Sequence, residues 1–88
     1  MKKLIARLAM DKRITVWHIS LYTAIMLLKR PNENEMRVRV SRKRLMLLSH
    51  INSIVTYHKC IRQLIEYGYI HYYPDYDHFK GTEIELIR

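Results

Sequence analysis

The sequence predicts a small α+β domain, and three observations carry that expectation. Apolar residues recur at three-to-four spacing over residues 14–29 and 53–67, they alternate with polar residues in 36–40, 69–73 and 82–87, and 88 residues leave room for one core. A chain of this length buries only about 60–65% of the surface its unfolded form exposes, so a second domain is excluded. The expected order of elements is helix, strand, short helix, tight turn, helix, hairpin.

Residues 14–29 fit a helix with Ile14, Trp17, Leu21, Ala24, Ile25 and Leu28 on one face, stopped by Pro31. Ile19, Tyr22, Met26 and Leu27 make it apolar nearly all round, which requires cover from another element or another chain. The preceding "KKLIARLA" can add a turn or two of helix as part of that cover. A second subunit supplies the rest, so a homodimer through the first helix is expected.

"PNENE", residues 31–35, is a polar loop. In "MRVRV" the alternation turns Met36, Val38 and Val40 inward and Arg37 and Arg39 to water, giving a short edge strand. Ser41 then caps the short helix "SRKRLMLLS", with Leu45 and Leu48 inward and "SH" breaking it. Arg42, Lys43 and Arg44 stand in its first turn, where the helix dipole disfavours cations by a few tenths to ~1 kcal/mol. A bound anion removes that penalty.

Ser53 caps the next helix and Gly68 stands where a left-handed residue is wanted after it. With Ile61 as the centre of the apolar stripe, Tyr57, Leu64 and Ile65 lie within ~60° of it, and Thr56, Lys59 and Gln63 within ~40° of the opposite pole. "YIHYY" and "TEIELI" are strands of a hairpin joined by "PDYDHFKG".

Sixteen Lys and Arg against eight Asp and Glu leave a net charge of +8 and a pI near 9.9. The charge is +4 in residues 1–28, +7 in 29–62 and −3 in 63–88. A basic middle segment in so short a chain points to phosphate as counter-charge. Arg7 interrupts the apolar start "MKKLIARLAM", so a signal peptide is not expected. The longest uncharged run, residues 14–28, holds fifteen residues including Thr15, His18, Ser20 and Thr23, short of the ~20 apolar residues of a membrane span. A single cysteine, Cys60, excludes an internal disulfide framework and fits a reducing compartment. A cytoplasmic protein without a membrane partner is expected.

Chemistry-bearing motifs are absent. His58 and Cys60 in "HKC" have no second ligand cluster, and His18, His50, His71 and His78 have no carboxylate or nucleophile at triad spacing. There is no Gly-rich phosphate loop. Neither a metal, a cofactor nor enzymatic activity is expected. Tyr67, Tyr69, Tyr72, Tyr73 and Tyr76 bunch where charge is negative, which suits packing between sheet and helices or a protein contact better than stacking on single-stranded nucleic acid.

The order of elements is that of a winged helix-turn-helix domain, and "SHINSIVTYHKCIRQLIEYGYI" resembles the helix-turn-helix half of winged-helix DNA-binding proteins. Ile51 stands in the turn, Ser53 opens the recognition helix, and "LIEYGYI" matches the usual exit into the wing. The resemblance covers residues 14–88. More narrowly, "HISLYTAI", "SRKRLMLLS", "TYHKCI" and "GYIHYYPDY...KG" are similar to small winged-helix regulators carried on bacterial conjugative and mobilisable elements. It implies one domain over residues 1–88: an N-terminal extension at 1–13, helix-turn-helix at 41–67 and wing hairpin at 69–87, with three main helices and a short edge strand.

The resemblance further implies a double-stranded DNA partner, read in the major groove by helix 53–67, and a role as a transcriptional regulator or accessory factor of a mobile element. Thr56, Lys59 and Gln63 are the candidate base-contacting residues and Arg62 shares their helix; Asn52 and Ser53 stand at its start. Arg42, Lys43 and Arg44 are candidates for backbone phosphate, with Arg37 and Arg39 as an extension of that strip. A solvated helix face is the alternative for each. The hairpin departs from a basic wing, because Asp75, Asp77, Glu83 and Glu85 stand against Lys80 alone and repel a polyanion. Two other functions fit the same fold: a protein-interaction module using the apolar first helix and the acidic tyrosine-rich hairpin, and a low-specificity architectural or replication-initiation DNA binder.

Overall fold

The computed structural model describes residues 2–28, 37–73 and 82–87. The loop at 31–35, Met36 and the hairpin tip with Asp75, Tyr76, Asp77, His78 and Lys80 lie outside the described residues. Among the described residues four helices and a three-stranded antiparallel sheet form a small α+β domain, in the order α1 (Lys2–Met10), α2 (Val16–Leu28), β1 (Arg37–Val40), α3 (Arg42–Ser49), α4 (Ile54–Glu66), β2 (Ile70–Tyr73), β3 (Thr82–Leu86). The N-terminal segment is thus a full nine-residue helix rather than an added turn or two.

β3 lies between β1 and β2, so β1 is an edge strand as expected. The register sets Val38 against Ile84 and Ile70 against Leu86, and these four side chains are buried beneath the helices. It also sets Arg37 opposite Glu85 and Arg39 opposite Glu83. Arg39 and Glu83 form an ion pair at 3.0 Å. Glu83 therefore complements Arg39 of β1 across the strands. Arg39 is thus engaged with a carboxylate within the sheet.

α2 packs on α3, α4 and β1 and carries the centre of the core, with Leu21, Tyr22, Ala24 and Ile25 fully buried. Its buried face differs from the expected one: Trp17 is 51% exposed, while Tyr22 and Met26 are buried. The reason is His18, a polar residue that is nonetheless buried. The Thr15 N–H donates to its Nδ1 at 2.9 Å, and the Thr15 hydroxyl lies 2.9 Å from the same nitrogen. The third helical residue thus satisfies the N-cap backbone donor, the reciprocal half of a capping box with His in place of Glu. That ring pulls the buried face roughly 60° round the helix from where apolar residues alone would put it.

α3 begins as expected, with Ser41 Oγ accepting the Arg44 N–H at 3.1 Å. Leu45 is buried but Leu48 is 38% exposed; the inward residue of the last turn is Ser49. Its hydroxyl donates to the Leu45 carbonyl at 2.6 Å, so a small polar residue enters the core satisfied. The Ser20 hydroxyl of α2 donates to the Ser49 carbonyl at 2.5 Å, occupying an acceptor that the helix end leaves open.

α3 and α4 end alike. His50 is left-handed (φ 60°), and His50 and Ile51 donate their N–H groups to the carbonyls of Leu47 and Met46. Gly68 is left-handed (φ 81°), with Gly68 and Tyr69 donating to Ile65 and Leu64. Both are Schellman closures, the second with the residue that suits it best.

α1 is held at the α4–β2 junction. The Arg7 guanidinium lies 4.7 Å from the centre of the Tyr69 ring and that of Arg13 lies 4.2 Å from Tyr67. The Tyr69 hydroxyl donates to Asp11 Oδ2 at 2.7 Å, and Asp11 also accepts from the backbone and side chain of Arg13. Tyr67 and Tyr69 are thus packing residues; Tyr72 and Tyr73 remain exposed on β2.

Candidate functional site

The surface formed by the first turn of α3, the link at residues 50–53 and α4 carries the exposed candidates Arg42, Lys43, Arg44, Asn52, Ser53, Lys59 and Arg62, with Thr56 and Gln63 half-buried. Arg42, Lys43 and Arg44 are exposed on α3, and Asn52 and Ser53 are exposed in the link. A surface groove of about 440 Å³ brings Arg42, Lys43 and Asn52 together over Met46, Leu47, Ile51 and Ile54. Ile51, buried in the core, fixes its floor. Ser53 Oγ accepts the Thr56 N–H at 3.3 Å, so this hydroxyl holds the start of α4.

The exposed pole of α4 is not where Ile61 as centre would place it. Tyr57, Cys60, Ile61 and Leu64 are buried, and Ile65 is 39% exposed. The centre of that face lies roughly 50° from Ile61, toward Leu64. The opposite pole then carries Val55, Lys59 and Arg62, with Glu66 at the far end and His58 beside it, all exposed. Thr56 and Gln63 move to the flanks and are half-buried.

Gln63 has a partner inside the chain. Its Oε1 lies 2.7 Å from His18 Nε2, across the α2–α4 interface. Since Nδ1 of His18 accepts from Thr15, the proton sits on Nε2 and donates to Gln63. Gln63 is therefore a positioning residue for α4, and its carbonyl is not presented outward for a base edge.

Electrostatics distinguishes the same surface. Among the described residues no carboxylate pairs with Arg42, Lys43, Arg44, Lys59 or Arg62; the ion pairs there are Arg13–Asp11 and Arg39–Glu83. Burial pushes the Tyr57 hydroxyl up to about 12, with Tyr72 reinforcing and Arg42 opposing the shift. Tyr57 thus stays neutral beneath the cations. Burial likewise raises the Cys60 thiol, with Lys59 opposing, which makes it a packing group rather than a nucleophile.

Comparison with protein-family models, curated proteins and solved structures gives no match.

The helix also separates the two residues of "HKC": His58 is exposed and Cys60 is buried, so they face nearly opposite ways. Among the described residues no three His, Cys, Asp or Glu stand together as metal ligands, and no helix is long and apolar enough to cross a membrane. Leu47, Ile54, Val55 and His58 are surface residues of the site that composition and charge did not single out. The signal that finds Val55 and His58 is the helical wheel re-centred on Leu64 and Tyr57, which requires knowing that Ile65 is partly exposed.

Proposed function

We propose that the chain is a double-stranded DNA-binding domain of the winged helix-turn-helix type, a regulator or accessory factor in which α4 enters the major groove and the first turn of α3 rests on the phosphate backbone. The observation that carries this reading is the set of exposed cations, Arg42, Lys43, Arg44, Lys59 and Arg62, displayed on two helices whose junction is fixed by Ile51 and two capping serines. Cations in the first turn of α3 oppose the helix dipole, and phosphate removes that cost. In such an arrangement the first residues and outer face of the second helix meet base edges.

The base-facing set is then Val55, His58, Lys59 and Arg62, with Asn52 and Ser53 at the approach, and Gln63 holds the helix in place. The apolar outer stripe of α2, Val16, Ile19 and Leu27, supports pairing of two copies. It replaces the expected strip, because Tyr22 and Met26 are covered within the chain.

The test is selection of duplexes from a random pool followed by affinity measurement at several salt concentrations. An enriched motif and an affinity that falls steeply with salt are expected. A flat salt response with no enriched motif sinks the proposal.

A further inference from the structure

Val55 stands at the pole of the exposed face of α4, about one turn before Lys59 and two before Arg62, and is 77% exposed. Stability does not account for it, since a β-branched residue on an exposed helix face contributes no packing and lowers helix propensity. Nor is it an isolated apolar residue: Ile54 beside it and Leu47 on α3 are also exposed, and both line the groove that Arg42 and Lys43 border. Val55, projecting from the pole of α4 beside that groove and its cations, fits a concave partner that carries methyl groups between rows of negative charge. The major groove is such a partner: it admits a helix and presents the thymine 5-methyl as its apolar group. An acidic amphipathic peptide has complementary charge and could fill the groove over Leu47 and Ile54, but Val55 lies outside that groove, so such a peptide leaves the most exposed of the three without a partner.

We infer that Val55 is a specificity-determining residue whose side chain packs on a thymine 5-methyl group, so that the bound site contains thymine opposite the first turn of α4. This rests on the DNA-binding reading above. Uracil offers the same hydrogen-bonding edge as thymine without the methyl, so replacing thymine by deoxyuridine removes the contact and nothing else.

The experiment is a two-by-two comparison of wild type and Val55→Ala on the selected duplex, with each thymine in turn replaced by deoxyuridine. Deoxyuridine at one or two adjacent positions is expected to weaken wild type roughly fourfold, the value of one buried methyl-sized group, and to leave Val55→Ala unchanged. Val55→Ala removes no core packing and improves helix propensity, so thermal unfolding at or slightly above that of wild type confirms that the comparison concerns binding alone. If wild type binds a selected site but tolerates deoxyuridine everywhere, or if Val55→Ala keeps the full deoxyuridine penalty, the methyl contact is wrong while DNA binding stands. If no duplex is retained and an acidic amphipathic peptide binds instead, both proposals fall.

Discussion

His18 on α2 and Gln63 on α4 are joined by a hydrogen bond of 2.7 Å between Nε2 and Oε1. The same imidazole accepts the Thr15 N–H through Nδ1, so one buried ring caps the start of α2 and fixes the azimuth of α4. Its tautomer follows from these partners. The Nε2–H form is expected in the nitrogen shifts of the imidazole, and a proton on Nδ1 would contradict the cap.

Gln63→Ala leaves a buried imidazole N–H without its partner, which costs about 1–2 kcal/mol of stability. Because Gln63 positions the helix, the variant is expected to weaken binding to selected and random duplexes by the same factor. A loss confined to the selected site would make Gln63 a base-contacting residue after all. Chemical denaturation and paired affinity measurements provide the two readouts.

Much of the fold was legible because local signals agree. Ser41 and Ser53 are N-caps, Gly68 is the left-handed closure of α4, and Val38 and Val40 face inward on an edge strand. The buried faces of α2 and α4 lie roughly 50–60° from those that apolar residues alone define, because His18 is buried on α2 and, on α4, Cys60 is buried while Ile65 is 39% exposed. A wheel built from apolar residues treats His18 and Gln63 as outward, whereas the two satisfy each other across the helix interface. The exposure of Arg42, Lys43, Arg44, Lys59 and Arg62 does not depend on that azimuth. Val55 and His58 emerged only with the correct azimuth.

The two left-handed helix ends make opposite predictions. His50 holds φ 60° with a side chain, a conformation disfavoured by roughly 1–2 kcal/mol, so His50→Gly is expected to stabilise the domain by about 0.5–1 kcal/mol after the larger unfolded-state entropy of glycine is counted. Gly68→Ala is expected to destabilise it by about 1 kcal/mol. The nearest atom to an added Cβ there is Arg7 Nη2 at 3.8 Å, so the cost is conformational rather than steric. Urea unfolding of both variants checks the pair, and a neutral Gly68→Ala would contradict the closure.

Asp11 sets the acid limit of α1 docking. Hydrogen bonds from the Arg13 guanidinium, the Arg13 N–H and the Tyr69 hydroxyl hold its carboxyl well below the usual carboxylate range. A folded-state value below the unfolded one contributes stability that is complete above the unfolded value, about 3.9, and is lost as pH falls further. Wild type should therefore lose stability relative to Asp11→Asn as the pH is lowered from about 5 to 2. Parallel stability curves over that interval would remove Asp11 from the account.

Pairing through α2 depends on Val16, Ile19 and Leu27, which the chain leaves exposed. Leu27→Glu places a charge in that stripe without disturbing the core, and light scattering should report a dimer for wild type and a monomer for the variant. Wild type that stays monomeric at high micromolar concentration would end the α2 interface.

The two cationic groups of the site differ in what they contact, and salt separates them. Arg42 and Lys43 border a groove at the start of α3, away from the pole of α4, and their proposed partners are phosphates. Arg42→Ala and Lys43→Ala should each weaken every duplex alike and reduce the log–log salt slope by about 0.9 for each lost contact. Arg62 lies near the same pole about two turns further along α4 than Val55, where a guanidinium can pair with the O6 and N7 atoms of guanine. Arg62→Ala should cost about 1–3 kcal/mol on the selected duplex and much less on random DNA, because the phosphate contacts common to both persist. Salt titrations of the three variants on both duplexes give slope and preference together. If Arg62→Ala lowers the slope and leaves the ratio of affinities unchanged, the outer face of α4 touches backbone rather than bases, and sequence preference must arise elsewhere on the surface.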